Sequence, residues 1–414
     1  MSAHDTDPDR ESGNLLSLAE TGKIRLHRGT VHLSPTALMK ELQNIFQTFE
    51  QTKNSNQSIA LATLVKAQGS TYRRPGARML MTSGERMVGS LSGGWLEGDV
   101  FERAQTVMTS GQPIVVEYDT MSDEDIIWGL GLGCNGIVQI LIERIEPDNP
   151  FNPLTFLRDC IRHRRVGVLA TVFQVEGEIK TQLGTRLILY SDGKLKSNIQ
   201  NTDLVNQIRN DAQNSLNNSR SLVNAYPLLI GKAEVFIEFI QPPIPLIIFG
   251  AGHDVLPLVR LAQELGWDVT VVDNRQADVT RERFKCADHV ILCPPEEICD
   301  RVHLNHRTIA VVMTHNYLHD LELLKILLPS PVQYLGILGP KSRTETLLQE
   351  LSAEIPPTEQ QRQRLYSPIG LDIGGDTPEE IALSIVAEIK AVIANRTGES
   401  LRNRRRPIHD HSIK

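Results

Sequence analysis

Two stretches combine glycine with basic or sulfur-bearing side chains. Arg73 and Arg74 stand side by side four residues before Arg78, and paired guanidinium groups suit phosphate and other oxyanions through planar bidentate bonding. Gly93 and Gly94 lie in Ser92-Gly93-Gly94-Trp95-Leu96-Glu97-Gly98-Asp99, between an apolar strand-like run and a helical one. Backbone N–H groups can approach an anion there, and a helix start adds partial positive charge. Glu97 and Asp99 can orient a ligand or complement the helix dipole. Cys134 and Asn135 close the run Gly129-Leu130-Gly131-Leu132-Gly133. A thiolate in such a setting could coordinate a soft metal or hold a sulfur-bearing ligand, although cysteine is most often a small buried hydrophobe.

A second constellation follows residue 245. Gly250-Ala251-Gly252-His253 comes after an apolar run and opens a helical pattern, and Asp273 ends the next run. This is the context of a dinucleotide site, with Asp273 placed for a ribose hydroxyl and Arg275 for a phosphate. Val255 stands at the third glycine position, which predicts poorer helix–strand packing there. Thr314-His315-Asn316, Gly339-Pro340-Lys341 and Gly374-Gly375-Asp376 also sit at the ends of strand-like runs or before helices. In open α/β sheets such loops converge on one crevice. The spaced histidine pairs lack the glutamate of a zinc-hydrolase helix and read as ordinary solvated side chains. No nucleophile elbow, Walker loop or paired-CxxC zinc spacing occurs.

The elements that must position these residues are written twice. Leu61-Ala62-Thr63, Gly69, Gly76 and Arg78 return as Leu169-Ala170-Thr171, Gly177, Gly184 and Arg186, at a constant offset of 108. The second copy lacks both glycine-rich runs, which separates a frame from a site and puts the site in the first copy. Strands are predicted over Ile59 to Val65, Arg78 to Met81, Met87 to Leu91, Ile114 to Tyr118 and Ile137 to Ile142, with a helix over Leu96 to Met108. The second copy predicts strands over Val166 to Val175, Arg186 to Tyr190 and Glu234 to Ile240, with a helix over Asp203 to Asn214. Neither copy has enough strands to stand alone, so the two are expected to pack together as a pseudo-symmetric pair.

Gln241-Pro242-Pro243-Ile244-Pro245 is a rigid linker and the clearest boundary. Beyond it, short apolar runs alternate with helical periodicity, which implies a doubly wound parallel sheet. The last helix announces its start, with Thr377 as N-cap, Pro378 at the first position and Glu380 completing a capping box. The fold class is thus α/β: a C-terminal Rossmann-like doubly wound parallel sheet preceded by a mixed α+β domain with a degenerate internal repeat. The expected division is 1–33 without fixed structure, 34–147 the site-bearing copy, 154–242 the second copy, 244–396 the Rossmann-like domain and 397–414 a basic tail.

The balance of 43 basic against 50 acidic residues in 414 gives a net charge of −7. That argues against nucleic acid as a partner, which calls for a concentrated basic face. Five cysteines without framework spacing suit a reducing, cytoplasmic setting. No apolar stretch approaches the roughly 20 residues of a membrane span.

Taken together, these residues resemble the XdhC/CoxI family, accessory proteins that handle molybdenum cofactor for xanthine-dehydrogenase-type hydroxylases. The resemblance rests on Gly69-Ser70-Thr71 with Arg73 and Pro75-Gly76-Ala77, Ser92-Gly93-Gly94 through Glu97, and Gly133-Cys134-Asn135-Gly136. In the second half it rests on Gly250-Ala251-Gly252-His253, Val272-Asp273 with Arg275, Thr314-His315, Gly336 to Lys341, and Pro368 to Gly374 with Pro378 to Ala382. Members commonly carry cysteine after the Gly-Gly pair; this chain has Trp95, which leaves Cys134 to supply a thiolate toward the metal. The resemblance implies binding of molybdenum cofactor (molybdopterin), its protection during sulfuration, and delivery to a xanthine-dehydrogenase-type molybdoenzyme, with a cysteine desulfurase as a further partner. A homo-oligomer, a dimer, is expected. The competing reading is an NAD(P)-dependent oxidoreductase or a nucleotide-binding regulatory protein built on the C-terminal domain. The leading reading requires Arg73, Arg74, Gly94 and Cys134 to line one electropositive cradle.

Overall fold

The two copies form two antiparallel sheets with the same strand order. The first sheet runs Met87–Gly89, Arg78–Thr82, Ile59–Gly69, Gly136–Arg144, Ile114–Asp119. The second runs Leu195–Ser197, Arg186–Tyr190, Gly167–Gly177, Gly231–Ile240, Ser221–Leu228, and then adds Gly29–Val31 at its edge. The structure, a computed structural model, describes residues 29–31, 37–53, 55, 57–69, 71–94, 96–119, 136–274, 278–354 and 356–405. The leading stretch, expected to lack fixed structure, therefore contributes at least one paired strand.

Alternation of apolar side chains assigns the sheet faces. Ala60, Ala62 and Leu64 face outward onto Val100, Ala104 and Val107 of the helix Glu97–Ser110. Val168, Ala170 and Val172 do the same against Leu204, Ile208 and Ala212 of the helix Thr202–Asn218. The opposite faces meet each other. Leu61 and Leu80 of the first sheet share a core with Leu169 and Ile188 of the second. The helices Ala37–Lys53 and Pro153–Arg162 seal that layer with Ile45, Phe46, Phe49, Phe156 and Leu157. The second of these helices escaped the sequence reading, although Asn152 caps it and Pro153 opens it.

The pseudo-symmetry extends to irregularities. In each sheet the pairing shifts by one residue, at Val65 in the first and at its counterpart Phe173 in the second. Each bulge turns one extra side chain to the inner face. Val65 and Phe173 are wholly buried there with Leu141 and Phe236, in a small core between the sheets.

The C-terminal domain is a six-stranded parallel sheet in the order His289–Leu292, Asp268–Asp273, Pro245–Phe249, Ile309–Val312, Tyr334–Ile337, Leu365–Tyr366. Numbered along the chain this is 3-2-1-4-5-6, the doubly wound order whose switch point lies between the first and fourth strands. Its strands are short buried apolar runs because helices cover both faces. The helices Val255–Glu264 and Pro378–Ile393 cover one face, and Tyr317–Leu327 and Lys341–Glu354 the other. The capping box of Thr377 and Glu380 forms as expected. Val255 does not weaken the packing: it is fully buried in the core of that face, beside Leu258 and Val259.

Candidate functional site

Two connections of the first sheet, residues 71–77 and 90–94, carry the glycines and arginines singled out above, and Asp119 and Gly136 flank the stretch that holds Cys134. Glu97 organises the second. Its Oε1 accepts hydrogen bonds from the amides of Leu91 (3.1 Å) and Ser92 (2.9 Å) and from the Ser90 hydroxyl (3.0 Å), and its Oε2 from the Ser92 hydroxyl (2.6 Å). Burial alone would raise the Glu97 carboxyl, but these donors outweigh it and hold it below the ordinary glutamate value. The Gly94 amide in turn donates to Ser92 Oγ (3.1 Å). The carboxylate thus folds the loop from within. Among the described residues, a Cβ added at Gly93, Gly94 or Gly98 meets nothing within 4 Å. Gly94 also needs its glycine for φ +108°.

The same network reaches Arg73. Glu41, on the helix Ala37–Lys53, accepts from the Ser90 amide and forms an ion pair with Arg73. Arg73 and the glycine loop are therefore joined through one carboxylate. Cys134, Asn135 and Trp95 lie outside the described residues, but the ends of the cysteine-bearing connection are fixed. Asp119 pairs with Ile137, and Gly136 pairs with Gly69, where the arginine loop begins. Tyr118 donates from its hydroxyl to Asp99 Oδ2 (2.5 Å), in the first turn of the helix Glu97–Ser110. Burial and then the Asp99 hydrogen bond push the Tyr118 phenol up. The connection leaves beside the glycine loop and returns beside the arginine loop.

The other two arginines are directed elsewhere. Arg78 is 2% exposed, donating from Nη1 to Glu238 (2.9 Å) and to the Gly76 carbonyl (2.8 Å), with Nη2 also on Glu238. Its place is between the sheets, not on the open side of the loop. Arg74 is half-buried against the C-terminal domain, where burial and then the nearby charge of Arg396 bring its guanidinium down to about 10.

In the second copy the equivalent connection, residues 198–201, is shorter and carries no glycine. Asn198 Oδ1 accepts from the Arg186 amide (2.6 Å), and Asn201 caps the helix that follows. The counterpart of the cysteine-bearing connection is a tight hairpin turn between Leu228 and Gly231.

The C-terminal domain carries its own crevice at the carboxyl ends of the strands. A cavity of about 320 Å³ is lined by Phe249, Gly250, Asp273, Cys293 and Ile298, with Asn274 and His319 linked across it at 2.9 Å. Gly250, at φ +120°, lets the first strand approach the switch strand; a Cβ there would sit 2.3 Å from the Met313 carbonyl. His253 and Lys341 are exposed, and Arg275 lies outside the described residues. His315 sits in the left-handed region (φ +56°), with its Nε2 2.7 Å from Asp254 Oδ2.

Among the described residues the two sites do not merge within one chain. Contacts between the repeats and this domain fall at the opposite end of its sheet: Lys40 pairs with Glu264, Arg164 with Asp268, and Arg307 donates to the Pro242 carbonyl. Glu264 ends the helix that Gly250-Ala251-Gly252 begins, so about 15 Å of helix separates these contacts from the crevice.

Glu41, Tyr118 and Asp254 were not singled out from the sequence. Each acts by orienting another residue, which spacing does not reveal. Among the described residues no three His, Cys, Asp or Glu side chains could hold a metal ion, and no helix is long and apolar enough to cross a membrane.

Comparison with known proteins follows these boundaries. Residues 53–119 match the XdhC and CoxI family, and residues 246–389 match the XdhC Rossmann domain. A probable xanthine dehydrogenase subunit of Bacillus subtilis is 34% identical over 346 residues, covering 84% of this chain and 96% of that protein. The crystal structure of a xanthine dehydrogenase from Bacillus halodurans superposes with a TM-score of 0.69 at 30% identity, covering 87% of this chain and 98% of that one. The uncharacterized protein YqeB of Escherichia coli is 29% identical over 169 residues, 41% of this chain and 31% of that protein. With glycine loops, repeat frame and C-terminal sheet all accounted for, the chain belongs to the XdhC and CoxI family.

Proposed function

We propose that this protein binds molybdenum cofactor at the first repeat and passes it to a xanthine-dehydrogenase-type molybdoenzyme. The observation that carries this reading is the Ser92–Gly94 loop. It is held by Glu97, meets none of the described residues above its glycines, and is replaced in the pseudo-symmetric copy by a shorter connection without glycine. The names of its relatives supply the partner: proteins called xanthine dehydrogenase, or one of its subunits, share most of the chain.

The donor set fits the group. The cofactor is anionic, with a phosphate at one end and a sulfur-coordinated metal at the other. Gly93 and Gly94 leave room for a phosphate at a helix start. Arg73 lies one carboxylate away, and exchanging Glu41 for the phosphate would bring a guanidinium onto it. Cys134 would supply the soft ligand from a connection anchored at the same edge. When bound, the cofactor carries the metal and sulfur that the target enzyme needs, while this chain holds, shields and releases it. Sulfuration at this site calls for a cysteine desulfurase as a second partner.

The test is the protein purified from cells grown with molybdate, assayed for molybdenum and pterin fluorescence. Near-stoichiometric loading that falls at least about tenfold in Cys134→Ser is expected, a loss of the size that removing a good ligand produces. Loading that is absent in the wild-type protein would sink the proposal, and loading unchanged in the variant would remove the thiolate from it.

A further inference from the structure

We propose that the second repeat, which lacks the glycine loops, carries the docking element for the enzyme that receives the cofactor. That element is the apolar hairpin tip Leu229-Ile230, joined by Tyr72 of the first repeat. The identity of the partner rests on the reading above; the surface itself does not.

The tip connects Ser221–Leu228 to Gly231–Ile240, with Leu228 and Gly231 as its closing pair. Two-residue hairpin loops favour Asn, Asp and Gly, whose backbones suit the turn and whose side chains suit water. Here the loop is Leu-Ile, with Leu229 101% and Ile230 58% exposed. Single exposed apolar side chains are ordinary; two in succession at a turn are not. The backbone beneath them is anchored. The Glu178 amide donates to the Ile230 carbonyl at 3.2 Å. An added Cβ at Gly177 would lie 2.3 Å from that carbonyl, and one at Gly231 would lie 2.0 Å from the carbonyl of Glu176. Ile179, next to this turn, is buried. The fold thus tucks Ile179 away and leaves Leu229 and Ile230 out, on a support that needs little ordering when a partner binds.

Two contacts fix the level of one repeat against the other. Arg78, opposite Thr63 in the first sheet, reaches Glu238, and Lys66 reaches Glu234 at 2.6 Å. Moving from Thr63 to Lys66 in one sheet therefore parallels moving from Glu238 to Glu234 in the other. Continued, that direction leads to Gly69, where the arginine loop begins, and to Gly231, where the hairpin tip ends. Tyr72, 67% exposed, lies in that arginine loop. Apolar side chains of both repeats therefore stand out at the end that carries Arg73. Next to the tip, Lys66 and Lys232 both pair with Glu234, and Lys232 also with Glu176. Acid and base are matched there, so recognition falls to the apolar groups. Three side chains of this size present on the order of 500 Å², the extent of a functional patch. A stable complex buries roughly 800 Å² per partner. The smaller area suits an enzyme that docks, collects a cofactor and leaves, rather than a permanent pairing of two copies of this chain. The matching feature on that enzyme is an apolar recess for Leu229 and Ile230.

The test uses the full-length protein with Leu229→Ser and Ile230→Ser together, Tyr72→Ser alone, and Val279→Ser as a control at an apolar side chain 65% exposed in the C-terminal domain. The probe is the xanthine dehydrogenase of the same organism, purified without its cofactor, and binding is followed by calorimetry. The wild type and Val279→Ser are expected to bind it alike. The double variant should bind at least about tenfold more weakly and Tyr72→Ser about threefold more weakly. Molybdenum content and unfolding temperature should stay at the wild-type level in all of them. A wild-type protein that carries molybdenum and does not bind the apoenzyme overturns the proposal, as does a double variant that binds as the wild type does. Tyr72→Ser binding at full strength removes the first repeat from the surface. Loss of molybdenum from the double variant overturns the docking role by placing the tip in the cofactor site. A wild-type dimer that the double variant dissolves overturns it by giving the tip to a second copy. Failure of the cofactor reading looks different: the wild type then holds no molybdenum, and apoenzyme binding still reads the docking surface by itself.

Discussion

Arg78 of the first repeat and Glu238 of the second face each other as a buried ion pair, each side chain 2% exposed. Its mirror is present: Arg186 of the second repeat pairs with Glu143 of the first, and each arginine also donates to a glycine carbonyl two residues before it, Gly76 or Gly184. The repeat thus conserves a reciprocal joint between its halves, which explains why Arg186 persists where the glycine loops do not. Removing one partner strands a charge that neither sheet can solvate, and such losses run about 3–5 kcal/mol. Arg78→Ala or Glu238→Ala should lower the unfolding free energy by that amount in urea titrations, whereas Arg78→Met with Glu238→Leu should recover most of it. A single-variant loss below about 1 kcal/mol would show that the pair is not what joins the sheets.

The bulge residues test the same joint by packing. Phe173 is wholly buried between the sheets with Val65, Leu141 and Phe236. Phe173→Ala opens a cavity that the three side chains left around it cannot refill, and the expected cost is about 3–5 kcal/mol. Phe173→Leu should lose well under half of that. Equal losses for the two would mean that the site collapses freely and that the bulge carries no packing role.

Acid should loosen the glycine loop before it unfolds the sheets. Glu97 is held below its ordinary value by the Ser92, Ser90 and Leu91 donors. A depressed carboxyl contributes stability that is complete above the unfolded-state value and is lost as pH falls through the folded one. The contribution is therefore present at neutral pH and disappears on acidification below the ordinary glutamate range. Glu97→Ala, which strips these charge-assisted bonds, should cost about 1–3 kcal/mol at pH 7 and little once the wild-type carboxyl is protonated. Hydrogen exchange at the Leu91 and Ser92 amides reads this directly. Protection that is the same in wild type and variant at pH 7 would contradict the role given to Glu97.

Local chemistry was legible in the sequence and partnership was not. The Thr377, Pro378 and Glu380 start signal lies within four residues, and it forms as read. The offset of 108 foretold paired sheets because a duplicated frame needs a face to bury. Arg78 looked like an anion ligand because its partner Glu238 is 160 residues away. The strand Ser221–Leu228 was hidden by Asn224 and Pro227, which interrupt its apolar pattern. Asp254 holds the N-cap position of its helix, yet its carboxylate pairs with His315, 61 residues away.

The open face of the loop gives the sharpest separation of fold from ligand. A side chain at Gly93 meets none of the described residues within 4 Å, and its backbone needs no positive φ. Gly93→Leu should therefore change stability by no more than about 0.5 kcal/mol, as surface substitutions usually do. Gly94→Ala, at φ +108°, should cost about 1–3 kcal/mol through backbone strain alone. If the cofactor sits over the amides, the ranking reverses for loading. The isobutyl group at 93 fills the space a phosphate would use, and molybdenum content should drop at least about tenfold, the cost of losing a charge-assisted bond or two. Molybdenum and pterin measured on the Gly93→Leu protein, beside its urea midpoint, decide the matter. A variant that is stable and fully loaded would move the cofactor off this face.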